Sequence, residues 1–178
     1  MLTGAEIMAR ISTDDIEITD FDMSRLNPNS YNLRLGDKLK IYEVALNGGT
    51  LDAKATNKTV EITIPDEGYV LQPGVLYIGS TIERTRCENL VACIDGRSSI
   101  GRLGICIHLT AGFGDVGFEG NWTLEITAVH PVRIYKGMEI CQVYFETVEG
   151  STCMKYCGKY QGQTEPTESK MYSDKSIV

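Results

Sequence analysis

No stretch of this chain is apolar for long enough to cross a bilayer, so the sequence predicts no membrane-spanning helix. Positive charge is also in short supply. Seventeen Lys and Arg stand against 24 Asp and Glu, a formal charge of -7. General attraction to nucleic acid or to an anionic membrane is therefore not expected, and any anionic ligand needs a local cationic pocket. The opening residues Met1-Leu2-Thr3-Gly4-Ala5-Glu6-Ile7 lack the basic and apolar regions of a secretory signal, so a cytoplasmic location is expected. No CxxC pair occurs among the six cysteines, Cys87, Cys93, Cys106, Cys141, Cys153 and Cys157. Most sit in apolar runs and read as reduced core residues. Cys106 with His108 on one strand face, and Cys153 with Cys157, are the best zinc groupings, but neither has a recognised ligand spacing, so no zinc is expected.

What the chain does have is a core. With 178 residues and 42% hydrophobic content, it is long and apolar enough for one globular domain. Thr3 and Glu6 have capping-box spacing and Leu2 and Ile7 staple spacing, which predicts a short helix to about Ile11. Beyond it the signals are those of strands: Tyr31 to Leu35, Val60 to Ile64, Val75 to Thr81, Leu90 to Ile94, Leu103 to Leu109, Trp122 to Val129, Val132 to Tyr135 and Ile140 to Phe145. Gly and Pro turns separate nearly all of them, as in a sandwich, barrel or jelly roll. After Gly150 the composition turns polar, so residues 1–150 read as the β domain and 151–178 as a conditionally docked tail of the same unit.

Three stretches carry chemistry. Asp95-Gly96-Arg97-Ser98-Ser99-Ile100-Gly101-Arg102 offers hydroxyls, two guanidiniums and flexible backbone, enough to hold phosphate from a helical turn led by Ser98. An ordinary polar connection has the same composition. Thr110 to Gly120 packs four glycines around Asp115, Phe113 and Phe118; such a hairpin can bring backbone close to a flat ligand, or simply anchor its two rings in the core. In Trp122-Thr123-Leu124-Glu125-Ile126-Thr127-Ala128-Val129, alternation puts Trp122, Leu124, Ile126 and Ala128 on one face and Glu125 with two threonines on the other. A shielded Glu125 can act as a general base, whereas on an open sheet it is only a solvated side chain.

Taken together, Gly96-Arg97-Ser98-Ser99-Ile100-Gly101-Arg102-Leu103-Gly104, Thr110-Ala111-Gly112-Phe113, Asp115-x-Gly117-Phe118-x-Gly120 and Thr123-Leu124-Glu125 resemble the ordered motifs of the dCTP deaminases. Asn27 to Gly36 and Lys159-Tyr160-Gln161-Gly162-Gln163 extend the likeness over most of the chain. The resemblance implies a mainly β, distorted jelly roll of the trimeric dUTPase-like type with a short N-terminal helix, active sites between subunits of a homotrimer, and a C-terminal segment that closes them.

The same resemblance implies site roles. Glu125 becomes the general base, with Ser98 and Arg102 fixing water and pyrimidine and the backbone near Ala111 contacting the reacting water or base. Arg97, Ser98, Ser99, Tyr156, Lys159 and Gln163 fall at nucleotide-binding positions, largely on the triphosphate, with Mg²⁺ bound through the phosphates. Family members need no zinc, in keeping with the missing H-x-E and P-C-x-x-C signature of zinc nucleobase deaminases. dCTP is the implied substrate and dTTP the implied feedback inhibitor. Small residues at Gly112, beside Phe113, look like the bifunctional type that continues from dUTP to dUMP and pyrophosphate, with Asp115 activating water or holding the 3′-hydroxyl. Gly114 stands where a bulky aliphatic residue is usual, which predicts a looser hairpin. A dUTP diphosphatase alone, which ordinarily has an apolar residue at the Glu125 position, and a noncatalytic nucleotide-binding module are the other readings.

Overall fold

The computed structural model describes residues 1–174, and positions 175–178 of the predicted tail lie outside the described residues. Helix α1, Gly4–Ser12, starts as its sequence dictates: Thr3 Oγ1 accepts from the Glu6 amide at 3.2 Å. Only half of the capping box forms, because the Glu6 carboxylate turns to Arg10 Nε at 2.8 Å. Leu2 and Ile7 are both buried, and the Leu2 amide donates to the Phe145 carbonyl, which fixes the helix against the β core.

The remainder is a mainly β, distorted jelly roll. Strands β1 (Ile16–Ile18), β2 (Tyr31–Arg34), β3 (Lys38–Tyr42), β4 (Thr59–Thr63), β5 (Tyr69–Leu71), β6 (Tyr77–Cys87) and β7 (Leu90–Gly96) follow α1, with a short helix α2 (Val44–Asn47) after β3. A one-turn helix α3 (Ser98–Gly101) leads to β8 (Ile105–Cys106), β9 (Phe113–Gly114), β10 (Glu119–Ala128), β11 (Val132–Ile134) and β12 (Glu139–Thr147). One sheet has the order β4-β3-β6-β10-β8 with β1 also on β6; the second has the order β2-β12-β7-β9; β5 and β11 form a separate pair.

Between the sheets lies a core that includes Tyr31, Leu33, Leu39, Tyr77, Leu124, Ile126, Val143 and Phe145. Burying each such side chain contributes about 1.5–3 kcal/mol. Strand β10 alternates as its sequence predicts: Trp122, Leu124, Ile126 and Ala128 are buried, while Thr123, Glu125 and Thr127 are half-buried on the opposite face.

Two expectations fail for physical reasons. The predicted strand Leu103 to Leu109 survives only as Ile105–Cys106, so the face on which Cys106 and His108 were to converge does not exist. The Gly-rich stretch is not a hairpin: β9 pairs with β7 in one sheet and β10 with β6 and β8 in the other, so Thr110 to Gly120 carries the chain between sheets. Phe118 anchors that crossing in the core, whereas Phe113 is 64% exposed.

The cysteines divide evenly and all are free. Cys87, Cys93 and Cys141 are buried, while Cys106, Cys153 and Cys157 are exposed, fewer in the core than the apolar context implied. Burial pushes the Cys87 thiol up to about 11, and the fully enclosed Cys141 further still. Labelling the native protein with an aromatic disulfide at pH 8 should therefore leave Cys87, Cys93 and Cys141 unmodified, with all six reacting in denaturant; rapid native labelling of Cys141 would contradict this packing.

Candidate active site

A cavity of about 480 Å³ opens beside the half-buried face of β10. Its polar wall comes from Thr123 and Glu125 on β10, and Leu109 to Ala111 lie across from them. The Leu109 amide donates to Glu125 Oε2 at 3.2 Å, which fixes the carboxylate at the cavity edge. Asp115 reaches the same cavity from the turn after β9, closed by the Phe118 amide on the Asp115 carbonyl with Gly117 at φ 89°. Its carboxylate makes no hydrogen bond or ion pair among the described residues.

Aromatic rings form the other walls. Phe118 lies 5.0 Å from Trp122 and 5.9 Å from Tyr156, centroid to centroid. Trp122 Nε1 is spent on Thr85 Oγ1 at 2.9 Å, so the indole presents only carbon to the cavity. At Gly114, a side chain's Cβ would lie 2.5 Å from the Trp122 ring and 2.9 Å from the Ala92 carbonyl oxygen. The missing bulk at 114 is thus filled by Trp122, and the crossing is packed where its sequence predicted looseness. Gly112 is similarly confined, its Cβ position 2.5 Å from the Ile94 carbonyl oxygen and 2.7 Å from the His108 ring.

The tail completes the cavity. It docks on the entry to β10 through main-chain bonds, Tyr156 N to Val116 O at 2.7 Å, Gly162 N to Glu119 O at 2.8 Å and Asn121 N to Gln163 O at 2.8 Å. Gly117 and Gly120 permit this approach, since a Cβ at either would sit within 3 Å of Lys155 or Gln163 atoms. The acidic run Thr164 to Ser169 is neutralised from β3: Lys38 meets Glu165 at 3.3 Å, Lys40 meets Glu168 at 2.7 Å, and the Ser169 amide donates to the Tyr42 hydroxyl. Tyr42, Tyr160, Thr167 and Ser169 consequently line the cavity. Tyr42 comes to the cavity through the alternation of Lys38–Tyr42 on β3, the one local signal that points to it.

Of the sequence-predicted residues, the cavity gathers Glu125, Ala111, Asp115, Tyr156 and Gln163. It does not gather Arg97, Ser98, Ser99, Arg102 or Lys159 of the same chain. Ser98, Ser99 and Arg102 are exposed on α3, beyond the β8 end of β10. Arg97 pairs with Glu139 at 2.9 Å, and Lys159 with Asp174, which raises the lysine's affinity for its proton. Gln163 Nε2 donates to the Asn121 carbonyl at 2.8 Å, leaving a buried, partnerless Oε1. An amide oxygen accepts hydrogen bonds, so this atom suits an amine or hydroxyl donor. Thr123 Oγ1 is a second buried, partnerless polar atom on the cavity lining. Among the described residues no group of three or more His, Cys, Asp or Glu side chains is placed to hold a metal ion.

Fold and cavity together define a class: a jelly-roll β protein that encloses a cavity between one strand and a docked C-terminal tail. A family model described as dCTP deaminase-like matches residues 1–148. A protein of Hathewaya histolytica named "dCTP deaminase, dUMP-forming" is 52% identical over 174 residues, 98% of each chain. A protein of the same name from Leptospira biflexa is 50% identical, covering 98% of this chain and 97% of its own. A solved 2′-deoxycytidine 5′-triphosphate deaminase from Agrobacterium tumefaciens superposes with a TM-score of 0.62 at 24% identity, over 83% of this chain and 48% of that longer one, a likeness of fold. The chain belongs to the dCTP deaminase-like family.

Two outcomes follow from this packing. Gly114→Ala should cost about 1–3 kcal/mol by overpacking against the indole, with part of the loss recovered when Trp122→Leu is added; equal melting temperatures for Gly114→Ala and wild type would refute the coupling. Lys40 holds the Glu168 carboxyl below the ordinary glutamate range. Its contribution to docking is complete above that ordinary value, about 4.3, and is lost as pH falls through the lowered one. Amide-exchange protection at 165–169, corrected for intrinsic rate, should fall over that acid range in wild type and be low throughout in Lys40→Met; a pH-independent wild-type tail would count against the pairing.

Proposed function

We propose that this protein hydrolyses dCTP to dUTP and ammonia and then dUTP to dUMP and pyrophosphate. The observation that carries the reading is Glu125: a carboxylate, half-buried, oriented by a backbone amide and facing a cavity of nucleotide size. Two relatives at 50% identity or more named as dUMP-forming dCTP deaminases support it.

Deamination needs a proton taken from water as oxygen adds to C4 of the cytosine, delivered to N3, and a second transfer that lets the amine leave as ammonia. Glu125 can perform all of these in turn without zinc, the Leu109 amide holding its Oε2 while the other oxygen exchanges the proton. The partnerless oxygens of Gln163 and Thr123 suit donors on the nucleoside, and Phe118, Trp122 and Tyr156 provide apolar walls for base and sugar. Asp115, free of protein partners, is the carboxylate for the second step, orienting a water on the α-phosphorus or holding the 3′-hydroxyl. Mg²⁺ would be carried in on the triphosphate, where it would stabilise charge on the departing pyrophosphate.

Ser98, Arg102, Arg97, Ser99 and Lys159 lie outside this chain's own cavity. The reading therefore includes a homotrimer in which α3 of one subunit completes the site of the next. Exposed Leu103, Leu109, Phe113 and Val129 near these elements are the apolar surface such an assembly would cover. dTTP shares the deoxyribose and triphosphate and would compete at the same site, and a cytoplasmic location follows from a substrate whose charge keeps it from crossing membranes.

Glu125→Gln should lower ammonia release from dCTP by more than about 100-fold while nucleotide binding persists. Near wild-type release would sink the base assignment. Chromatography of products should show dUMP and pyrophosphate, and Asp115→Asn should suppress pyrophosphate more than ammonia; accumulation of dUTP alone would remove the second step.

A further inference from the structure

The segment Asn27 to Asn32 belongs to the family likeness but has no part in the chemistry above. In the fold it closes a circuit of side chains around the entry to α3. Arg97 Nη1 donates to the Glu139 carbonyl at 2.8 Å, and Nη2 lies 2.9 Å from Glu139 Oε2. The same Oε2 accepts from Asn32 Nδ2 at 2.8 Å, and Asn32 Oδ1 accepts from Asn27 Nδ2 at 2.7 Å. Asn27 Nδ2 also reaches Ser30 Oγ at 3.2 Å; Ser30 Oγ donates to Gln142 Oε1 at 2.8 Å; and Gln142 Nε2 donates to the Gly96 carbonyl at 3.1 Å. Gly96 and Arg97 are consecutive, so the chain of bonds returns to where it began, having crossed β2, β12 and β7.

Single-turn helices have little stability of their own. The side chains of α3 and its C-cap that face outward, Ser98, Ser99 and Arg102, have no hydrogen-bonding side-chain partner among the described residues. The turn is pinned to the core at Ile100, and the direction in which it presents its outward side chains is then set by what holds its N-cap, Arg97. Ser30 and Asn32 are buried, and a buried polar network whose members are satisfied is rigid. Glu139 is the junction, because it receives both Arg97 nitrogens and is itself held by Asn32.

We propose that Glu139, anchored by Asn32, is a positioning residue that fixes Arg97 and, through it, the turn presenting Ser98 and Arg102 to the nucleotide. This rests on the role given above to those two residues. A positioning group of this kind acts on kcat, since a small misplacement of catalytic contacts has a large effect on rate while global stability can be nearly unchanged.

The test uses the full-length protein with dCTP and Mg²⁺. Glu139→Ala should lower kcat for ammonia release by about tenfold or more, with a smaller change in KM. Glu139→Gln, which keeps an acceptor for Arg97, should return kcat to within about threefold of wild type. In an Arg97→Met background, adding Glu139→Ala should have no further effect, because the path it acts through is already cut. If Glu139→Ala does not fold, Asn32→Ala decides, with an expected fall in kcat when assayed well below its own melting temperature, where the protein is fully folded. Wild-type kinetics in Glu139→Ala or Asn32→Ala would overturn the inference, as would a Glu139→Ala loss that adds in full to that of Arg97→Met. An inactive wild-type enzyme would overturn the functional reading itself, so the two failures are told apart by the control.

Discussion

Everything near the cavity depends on a break in the pairing of β6 with β10. Asn121 faces Arg84 and Thr123 faces Ser80, so Thr81, Ile82 and Glu83 together stand opposite the single residue Trp122. The extra residues are held in place: Asn121 Nδ2 donates to the carbonyls of Thr81 and Ile82, and Thr81 Oγ1 accepts from the Trp122 amide and donates to the Glu83 carbonyl. This bulge turns Glu83 inward, where it has 0% exposure. A lone buried carboxylate would be intolerable, and Arg25 Nη1, Arg34 Nε and the Arg34 amide all converge on it. Removing one partner from such a site costs about 3–5 kcal/mol. Because Arg34 lies on β2 and Glu83 on β6, the ion pair also ties one sheet to the other.

From the bulge the site is built outward. Register resumes at Thr123 with Ser80 and puts Glu125 opposite Ile78, on the face away from fully buried Leu124 and Ile126. Trp122, caught by its amide on Thr81 and by its indole on Thr85, is fixed by the same irregularity. Its ring then dictates that residue 114 has no side chain, and the chain leaving Gly114 delivers Asp115 to the cavity. The two carboxylates of the cavity, Glu125 and Asp115, thus owe their places to one local defect in a ladder.

Much of this was legible where a single period or a local cap decides the outcome. The alternation of β10, including the side on which Glu125 emerges, follows from the two-residue repeat, and α1 follows from Thr3 and its staple. Strands β1, β3 and β5 carry weak local signals because they are short or, in Lys38–Tyr42, alternate with lysines that hold tail carboxylates far along the chain. The Gly-rich crossing resembles a hairpin in sequence, since glycines announce a turn but not which strand takes the next one as partner. Arg97 was legible as a cation and not as a strut, because Glu139 and Asn32 reach it only through tertiary pairing. The bulge itself left no mark in the sequence, since nothing local in Thr81-Ile82-Glu83 distinguishes it from continuous strand.

The tail is recognised largely through peptide groups of residues 116–121, with Gln161 and Gln163 adding side-chain bonds to the main chain of Gly117, Glu119 and Asn121. Main-chain recognition is blind to most side chains on either partner. Where the contact is peptide to peptide, at 156, 162 and 163, the outward side chains are not what is read, whereas Gly117 and Gly120 are confined to glycine because a Cβ at either would meet the tail. A polar, irregular segment can in this way follow one bound path without the apolar periodicity that a helix or strand would use to dock.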